Sequence, residues 1–393
     1  MNFEVDPEVQ AFQKQVEEFL EANRSPEVMD PQPEQLSQTV ETPPKRALMR
    51  KLAEKGWLGM SWPKEYGGKE LSGIYDFVLT EALSRVGAPQ PGKGVGIVGK
   101  TLIRHGNATL KEYFLPRIIR GEIEFAIGYS EPNAGSDAAN MQLKAEHDDA
   151  RGGWVLNGQK VWTTSAHFAD WYWVGARTDP DAKKHVGISL FLIRMDDPGL
   201  EVHPTWTIGD ERTNEVFFND VFVADDHVVG ELNHGWTYIC EALDLERFAM
   251  LPVGPVEKKV EAVCEWFAAA MRDGEPLCND SGARAKLARL VTDLEVCRVL
   301  QRRVISEALK GGVPTVESSE YKLFMTEFGK RVANTALDLM GPEGQLKPGE
   351  GGPIDGRFER SYRYTVVDSI GGGASEVQKN IIARRGLGLP ANF

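Results

Sequence analysis

The chain has 393 residues, 41% of them apolar and 26% charged. That is enough to bury cores in two or three domains, and it excludes a disordered or collagen-like polypeptide. Acidic side chains outnumber basic ones by 58 to 45, a net charge of −13, so no basic surplus favours nucleic acid or an anionic membrane as a partner.

The opening MNFEVDPEVQ has no basic region followed by an apolar core and reads neither as a signal nor as a transit peptide. No apolar run approaches the ~18 residues of a membrane helix. Cys240, Cys264, Cys278 and Cys297 form no CxxC pair, and the seven histidines form no HExxH. A reducing, cytoplasmic setting without disulfides or a bound metal is expected.

From Pro7 to about Gly121, apolar residues recur every three or four positions in PEVQAFQKQVEEFL, KRALMRKLAEKG and TLKEYFLPRIIRG, which predicts helices. The Pro-rich stretch Ser25 to Pro44 reads as a connector. GVGIVGKT, Gly94 to Thr101, satisfies the phosphate-cradle pattern GxxxxGK[ST] and overlaps a GxGxxG. A nucleotide hydrolase would need a buried strand before it, whereas GAPQPGK precedes it, so the match reads as coincidence. Between about Ile123 and Val229, alternating runs such as WYWVGAR, GISLFLIR and NEVFFNDVFV broken by Gly, Asp, Asn and Pro predict a compact β domain. Within it, WVLNGQKVWTT predicts a hairpin turning at Asn157-Gly158. After Gly235 long helical periodicity returns, interrupted from Gly341 to Gly356 and by the glycines at 371 to 373. The expected division is 1–121, 122–230 and 231–393.

Three stretches offer chemistry. AIGYSEPNAGSDAAN, Ala126 to Asn140, leaves an apolar strand for a loop whose amides and Ser130 and Ser136 hydroxyls could face a polar ligand, or which forms an ordinary turn. Alternation along the supposed second hairpin strand puts Trp162 and Thr164 on one face, as an aromatic slab beside a hydroxyl or as a core tryptophan. On the helix after Gly235, Ile239, Leu243, Met250 and Val253 make an apolar stripe with Glu246 in its middle, and Pro252 is expected to kink that helix. Desolvation there raises a carboxyl pKa toward neutrality, as suits a base that removes a weakly acidic carbon proton; a buried ion pair is the other outcome.

These stretches, in this order, resemble the acyl-CoA dehydrogenase family. GWLGMSWPKEYGGKELS, YFLPRIIRGE and GGGASEVQKNIIARRGLGLP extend the similarity over essentially the whole chain. The resemblance implies an α+β molecule: an N-terminal all-α domain, a middle β domain and a C-terminal four-helix bundle, with FAD held between domains and across a subunit interface. It implies that Tyr129, Ser130, Gly135 and Ser136 contact the flavin, that Trp162 lies along it and that Thr164 donates to its ring. It further implies that Ser136 faces substrate. The family's commonest base, the Glu of a C-terminal YEGT, corresponds here to Gly372 of GGGA. Isovaleryl-type and long-chain members carry the base in an LDLER-like motif, present as Leu243 to Arg247. Resemblance and apolar stripe thus meet on Glu246, with Asp244 and Arg247 implied to hold the CoA portion and Gly372 to offer its amide to the thioester. The RxxFG segment is replaced by MRDGEPL, which leaves Arg272 as its stand-in. Asp338 precedes Gly341 where the family has Gln before paired glycines, and Ala374 and Glu376 replace the Thr and Gln of the last motif. YSEP, GGG-x-x-EVQ and the missing RxxFG are similar to bacterial steroid side-chain members, which implies a bulky acyl-CoA. The implied partners are electron-transferring flavoprotein as acceptor and either a homo-oligomer (dimer or tetramer) or a heterotetramer with a related subunit. A flavin oxidase-type relative, which favours Asp as base, is the nearest alternative.

Overall fold

The structure is a computed structural model and describes residues 6–30, 40–249, 252–310 and 314–390, the side chains of 243–249 excepted. Helix α1 (Pro7–Ala22) starts at Asp6, whose side chain accepts from the Glu8 amide at 2.8 Å, and buries Val9, Phe12, Val16 and Leu20. α2 (Pro43–Glu54) and α3 (Gly73–Arg85) follow, the latter capped by Ser72. Gly94–Val98 forms a wide π-helical turn that runs directly into α4 (Gly99–His105), before α5 (Ala108–Ile119).

GVGIVGKT is therefore helical throughout, with no strand before it among the described residues, and the phosphate-cradle pattern is coincidental. Two of its glycines, Gly94 and Gly99, serve packing. A Cβ on Gly99 would lie 2.1 Å from the Trp62 ring, and one on Gly94 would lie 3.1 Å from Phe125.

The middle of the chain forms an eight-stranded sheet: β1 (Phe125–Gly128), β2 (Lys144–Asp148), β3 (Gly153–Lys160), β4 (Trp171–Arg177), β5 (Ile188–Arg194), β6 (Leu200–Trp206), β7 (Arg212–Ala224) and β8 (Val228–Val229). The strand order is β6-β7-β3-β2-β4-β5-β8, with β1 parallel to β4. All of β4, and β5 as far as Ile193, are buried instead of alternating between core and solvent. The reason is that both faces are covered. Trp171, Trp173, Leu190 and Leu192 join Phe114 and Phe125 in the helical core, while Tyr172, Val174, Phe191 and Ile193 pack with Trp154, Leu156 and Val216.

Asn157-Gly158 is not a turn. β3 runs straight through it with a bulge against β7, Gly158 at φ 142°, and Asn157 clips Asp220 by two 2.9 Å bonds. The hairpin turns instead just before Gly153, where Gly152 has φ 68° and Asp148 accepts from the amides of Ala150 and Arg151. Consequently Trp162 and Thr164 lie beyond the end of β3.

The remaining helices are α6 (Gly235–Ala249), α7 (Gly254–Ala269), α8 (Ser281–Leu309), α9 (Thr315–Met340), α10 (Arg357–Asp368) and α11 (Ser375–Ile381). Val260, Val263, Leu290, Leu294, Phe328 and Val332 lie in the core of this bundle. Pro252 separates two helices where a kink was expected. It lacks an amide hydrogen, and the next free amides, Val253 and Gly254, are taken by the Glu81 carboxylate of α3, so a new helix starts there. No helix among the described residues is long and apolar enough to cross a membrane.

Candidate active site

The chain leaves β1 at Gly128, where a Cβ would sit 2.6 Å from the Tyr172 ring, and enters the loop of Tyr129, Ser130, Gly135 and Ser136. The Tyr129 hydroxyl accepts from the Trp173 indole nitrogen at 2.8 Å, and the Ser130 carbonyl accepts from the Val161 amide at 3.0 Å. Those bonds fasten the loop beside the segment that follows β3. Gly135 and Ser136 are exposed, and a Cβ on Gly135 would meet nothing within 4 Å.

Trp162 is 61% exposed and adopts φ 60°, a left-handed conformation that costs a bulky residue roughly 1–2 kcal/mol. The core reading of this tryptophan is wrong. Its neighbours explain how it is held: Val161 and Thr163 are buried, the Thr163 amide donates to the Asn214 carbonyl at 3.0 Å, and the Asn214 side chain donates back to the Thr163 carbonyl at 2.8 Å. The Thr163 and Tyr172 hydroxyls are 2.9 Å apart. With 161 and 163 turned inward, the Trp162 indole faces outward beside the partly exposed Thr164.

A second loop follows α10. Gly372 has φ 65°, is exposed, and a Cβ there would meet nothing within 4 Å. Buried Lys322 of α9 spans the loop's two ends, donating to the Asp368 carbonyl at 3.1 Å and the Gly373 carbonyl at 2.7 Å. Ala374 precedes α11, and Glu376 is exposed in its first turn.

Lys93, at the foot of the π-helical turn, donates to the Ser165 hydroxyl at 3.1 Å, next to Thr164. Burial pushes the Glu211 carboxyl up to about 7, aided by Asp368 and opposed by Lys93 and Arg360. Lys93 before the π-helical turn, and Arg360 and Asp368 of α10, thus act on the charge of Glu211 in the β6–β7 connection.

Glu246, Asp244 and Arg247 lie on α6 by backbone; their side chains, with those of Leu243 and Met250, fall outside the described residues. The described ends of the expected stripe, Ile239 and Val253, are buried. α6 packs against the π-helical turn and α4, where the His105 ring stacks on Tyr238 at 4.3 Å and bonds Glu241 at 2.8 Å. Arg272 and Gly341 form a separate pair: Arg272 donates to the Leu339 carbonyl at 2.6 Å, just before Gly341 at φ 69°. Sequence reading missed Lys160, Glu131, Lys322 and Glu81. Glu81 alone sits in an apolar stretch, FVLTEALS, and the other three lie among polar neighbours, where spacing cannot distinguish a buried charge from a solvated one.

Residues 6–122, 126–221 and 233–387 match the N-terminal, middle and C-terminal domains of acyl-CoA dehydrogenases. Acyl-CoA dehydrogenase FadE26 of Mycobacterium tuberculosis is 33% identical over 354 residues, 88% of each chain. The mitochondrial isovaleryl-CoA dehydrogenase of Solanum tuberosum is 29% identical, over 95% of this chain and 89% of that one. Among solved structures, the Tcur3481-Tcur3483 steroid ACAD aligns with a TM-score of 0.89 and the ChsE4-ChsE5 complex from Mycobacterium tuberculosis with 0.88, each at 31% identity and over 100% of both chains.

Proposed function

The chain belongs to the acyl-CoA dehydrogenase family, and from that premise we propose that it performs FAD-dependent α,β-dehydrogenation of a branched or ring-bearing acyl-CoA with Glu246 as the base. The observation that carries this reading is the Trp162 indole, held outward on left-handed backbone beside Thr164. An exposed aromatic slab in a strained conformation suits a flat ring system, and the open space beside Gly135 suits what is attached to that ring. Tyr129, Ser130, Gly135, Ser136, Trp162 and Thr164 would hold the flavin half, and Arg272, Gly341, Ala374 and Glu376 the adenine half of a second copy or a related subunit.

FAD, when bound, supplies the acceptor for the hydride that leaves the β-carbon. The chain's own task is the α-proton, whose weak acidity is the barrier. Glu246 takes it, and the Gly372 amide donates to the thioester oxygen as negative charge grows there; one such donor is worth ~3 kcal/mol. Asp244 and Arg247 hold the CoA portion. The absence of a side chain at Gly372, with nothing within 4 Å of the place a Cβ would take, leaves room beside the reacting carbons. The steroid ACAD and isovaleryl-CoA dehydrogenase relatives support a bulky acyl group.

The ChsE4-ChsE5 complex among the structural relatives supports assembly with a related subunit, a homo-oligomer being the other form, and electron-transferring flavoprotein would take the electrons. Mixing the purified protein with a panel of straight, branched and ring-bearing acyl-CoA thioesters without oxygen tests the reading. A yellow protein bleached fastest by bulky thioesters is expected; a colourless protein, or one bleached by none, contradicts it.

A further inference from the structure

Inside the middle domain, under the loop that starts at Tyr129, the Lys160 ammonium meets the Glu131 carboxylate at 2.7 Å, with side-chain exposures of 0% and 7%. Such pairs are costly to desolvate and on average add little stability over apolar side chains of the same size. Here each charge does further bonding. Lys160 also donates to the Tyr129 carbonyl at 3.3 Å, and Glu131 accepts from the amides of Gln142 at 2.5 Å and Leu143 at 2.8 Å. The backbone of Glu131 exchanges two bonds with Ala134, which closes the loop at its narrowest point.

Lys160 is the last residue of β3, so the same side chain that grips Tyr129 is two positions before Trp162. Glu131 holds the outgoing end of the loop to its returning end at 142–143. Burial lowers the Lys160 ammonium to about 8 against the opposing pull of Glu131, which leaves it charged at neutral pH.

We propose that Lys160 and Glu131 are a positioning pair that fixes the Tyr129–Ser136 loop and the Trp162–Thr164 segment relative to one another, and so sets flavin affinity and environment without touching the cofactor. The proposal rests on the flavin reading above. An apolar replacement of both would fill the same volume, yet it would leave the Tyr129 carbonyl and the Gln142 and Leu143 amides without these partners. The pair thus acts as a cross-brace between two stretches far apart in sequence.

Wild type, Lys160→Met, Glu131→Gln and the double variant Lys160→Met with Glu131→Leu are compared as holoproteins for thermal midpoint, FAD dissociation constant and visible flavin spectrum. Glu131→Gln keeps the side chain's volume and one acceptor oxygen, enough for one of the two amides, so it tests the pair even where Lys160→Met fails to fold. Each single variant is expected to bind FAD at least tenfold more weakly with a shifted spectrum. The double variant, which leaves no unpaired charge behind, should regain part of the midpoint lost in the singles while keeping the weak binding and the shift. Recovery of wild-type affinity and spectrum in the double variant, or FAD binding within threefold of wild type in both singles, would overturn the proposal and leave a purely structural pair. Wild type that takes up no FAD overturns the functional reading itself, which separates the two failures.

Discussion

Glu124 shows what burial does to a single residue in this molecule. Desolvation pushes its carboxyl up to about 7 at the seam between the helices and the sheet, where Arg46 and Lys93 oppose the shift and Asp170 adds to it. The folded chain then keeps, between pH 4.5 and 7, a proton that the unfolded chain releases, so stability must fall as pH rises through that window. We expect thermal midpoints of wild type to decline from about pH 5 to about 7.5 and that of Glu124→Gln to decline less; parallel curves would refute the assignment. Gly372 carries a second residue-level consequence. A glutamate in place of this glycine puts a side chain into left-handed backbone at about 1 kcal/mol and into the space proposed for the acyl branch. Gly372→Glu should lower kcat/KM for bulky relative to straight acyl-CoA by about tenfold or more; an unchanged ratio removes Gly372 from substrate choice. Residue identity was legible at the described ends of the predicted α6 stripe, where Ile239 and Val253 are buried as their spacing implies. It was least legible for Trp162, because nothing in a 3.6- or 2-residue period announces a positive φ.

At the scale of elements, the break between α6 and α7 was legible only in part. Pro252 announces an interruption, but whether a helix bends or restarts depends on which groups meet the freed amides, and those come from α3. The Glu81 carboxylate accepts from the Val253 amide at 3.0 Å and from Gly254, while Gln301 of α8 donates to it at 3.0 Å. Arg85 and Arg298 both pair with Glu257 one turn further on. Burial raises the Glu81 pKa, against these hydrogen bonds. Replacing a helix-capping acceptor costs about 1–2 kcal/mol, so Glu81→Ala should lower the thermal midpoint and speed hydrogen exchange at Val253 and Gly254 above that of the α8 amides. Exchange unchanged at those two amides would show the cap to be idle. The Asn157-Gly158 signal misled for a similar reason: the dipeptide tolerates a turn, but the cross-strand clip to Asp220 uses it as a bulge. β4 and β5 were readable as strands, though not as strands covered on both sides, since a second cover is a tertiary fact.

For the whole molecule, three layers converge. The N-terminal helices share a core with one face of the sheet, α10 adjoins the β6–β7 end, and Lys93, Arg360 and Asp368 all act on the charge of Glu211 there. Order of texture, helical then β then helical, made this architecture legible, whereas the seams between layers were not, because their residues are contiguous only in space. One outer surface stays apolar. Tyr362, Val366 and Ile370 are exposed at four-residue spacing along and just past α10, with Trp206 and Ile208 beside them, and Arg363 bonds the Ile208 carbonyl at 2.6 Å. Exposed apolar patches of this kind mark association surfaces, so Val366→Asp should shift the sedimenting species toward monomer and lower FAD content together. A monodisperse wild-type monomer that holds FAD would contradict that view.

Removal of the α-proton is the step on which the proposed chemistry turns. Rapid mixing of oxygen-free wild type and Glu246→Gln with a bulky acyl-CoA that bleaches the wild-type flavin isolates this step from any later electron acceptor. Glu246→Gln should retain the yellow spectrum and bind the thioester, yet lose bleaching by roughly a thousandfold or more, of the order expected when a positioned base is removed. Bleaching of Glu246→Gln at a rate near that of wild type would place the base elsewhere and contradict the mechanism.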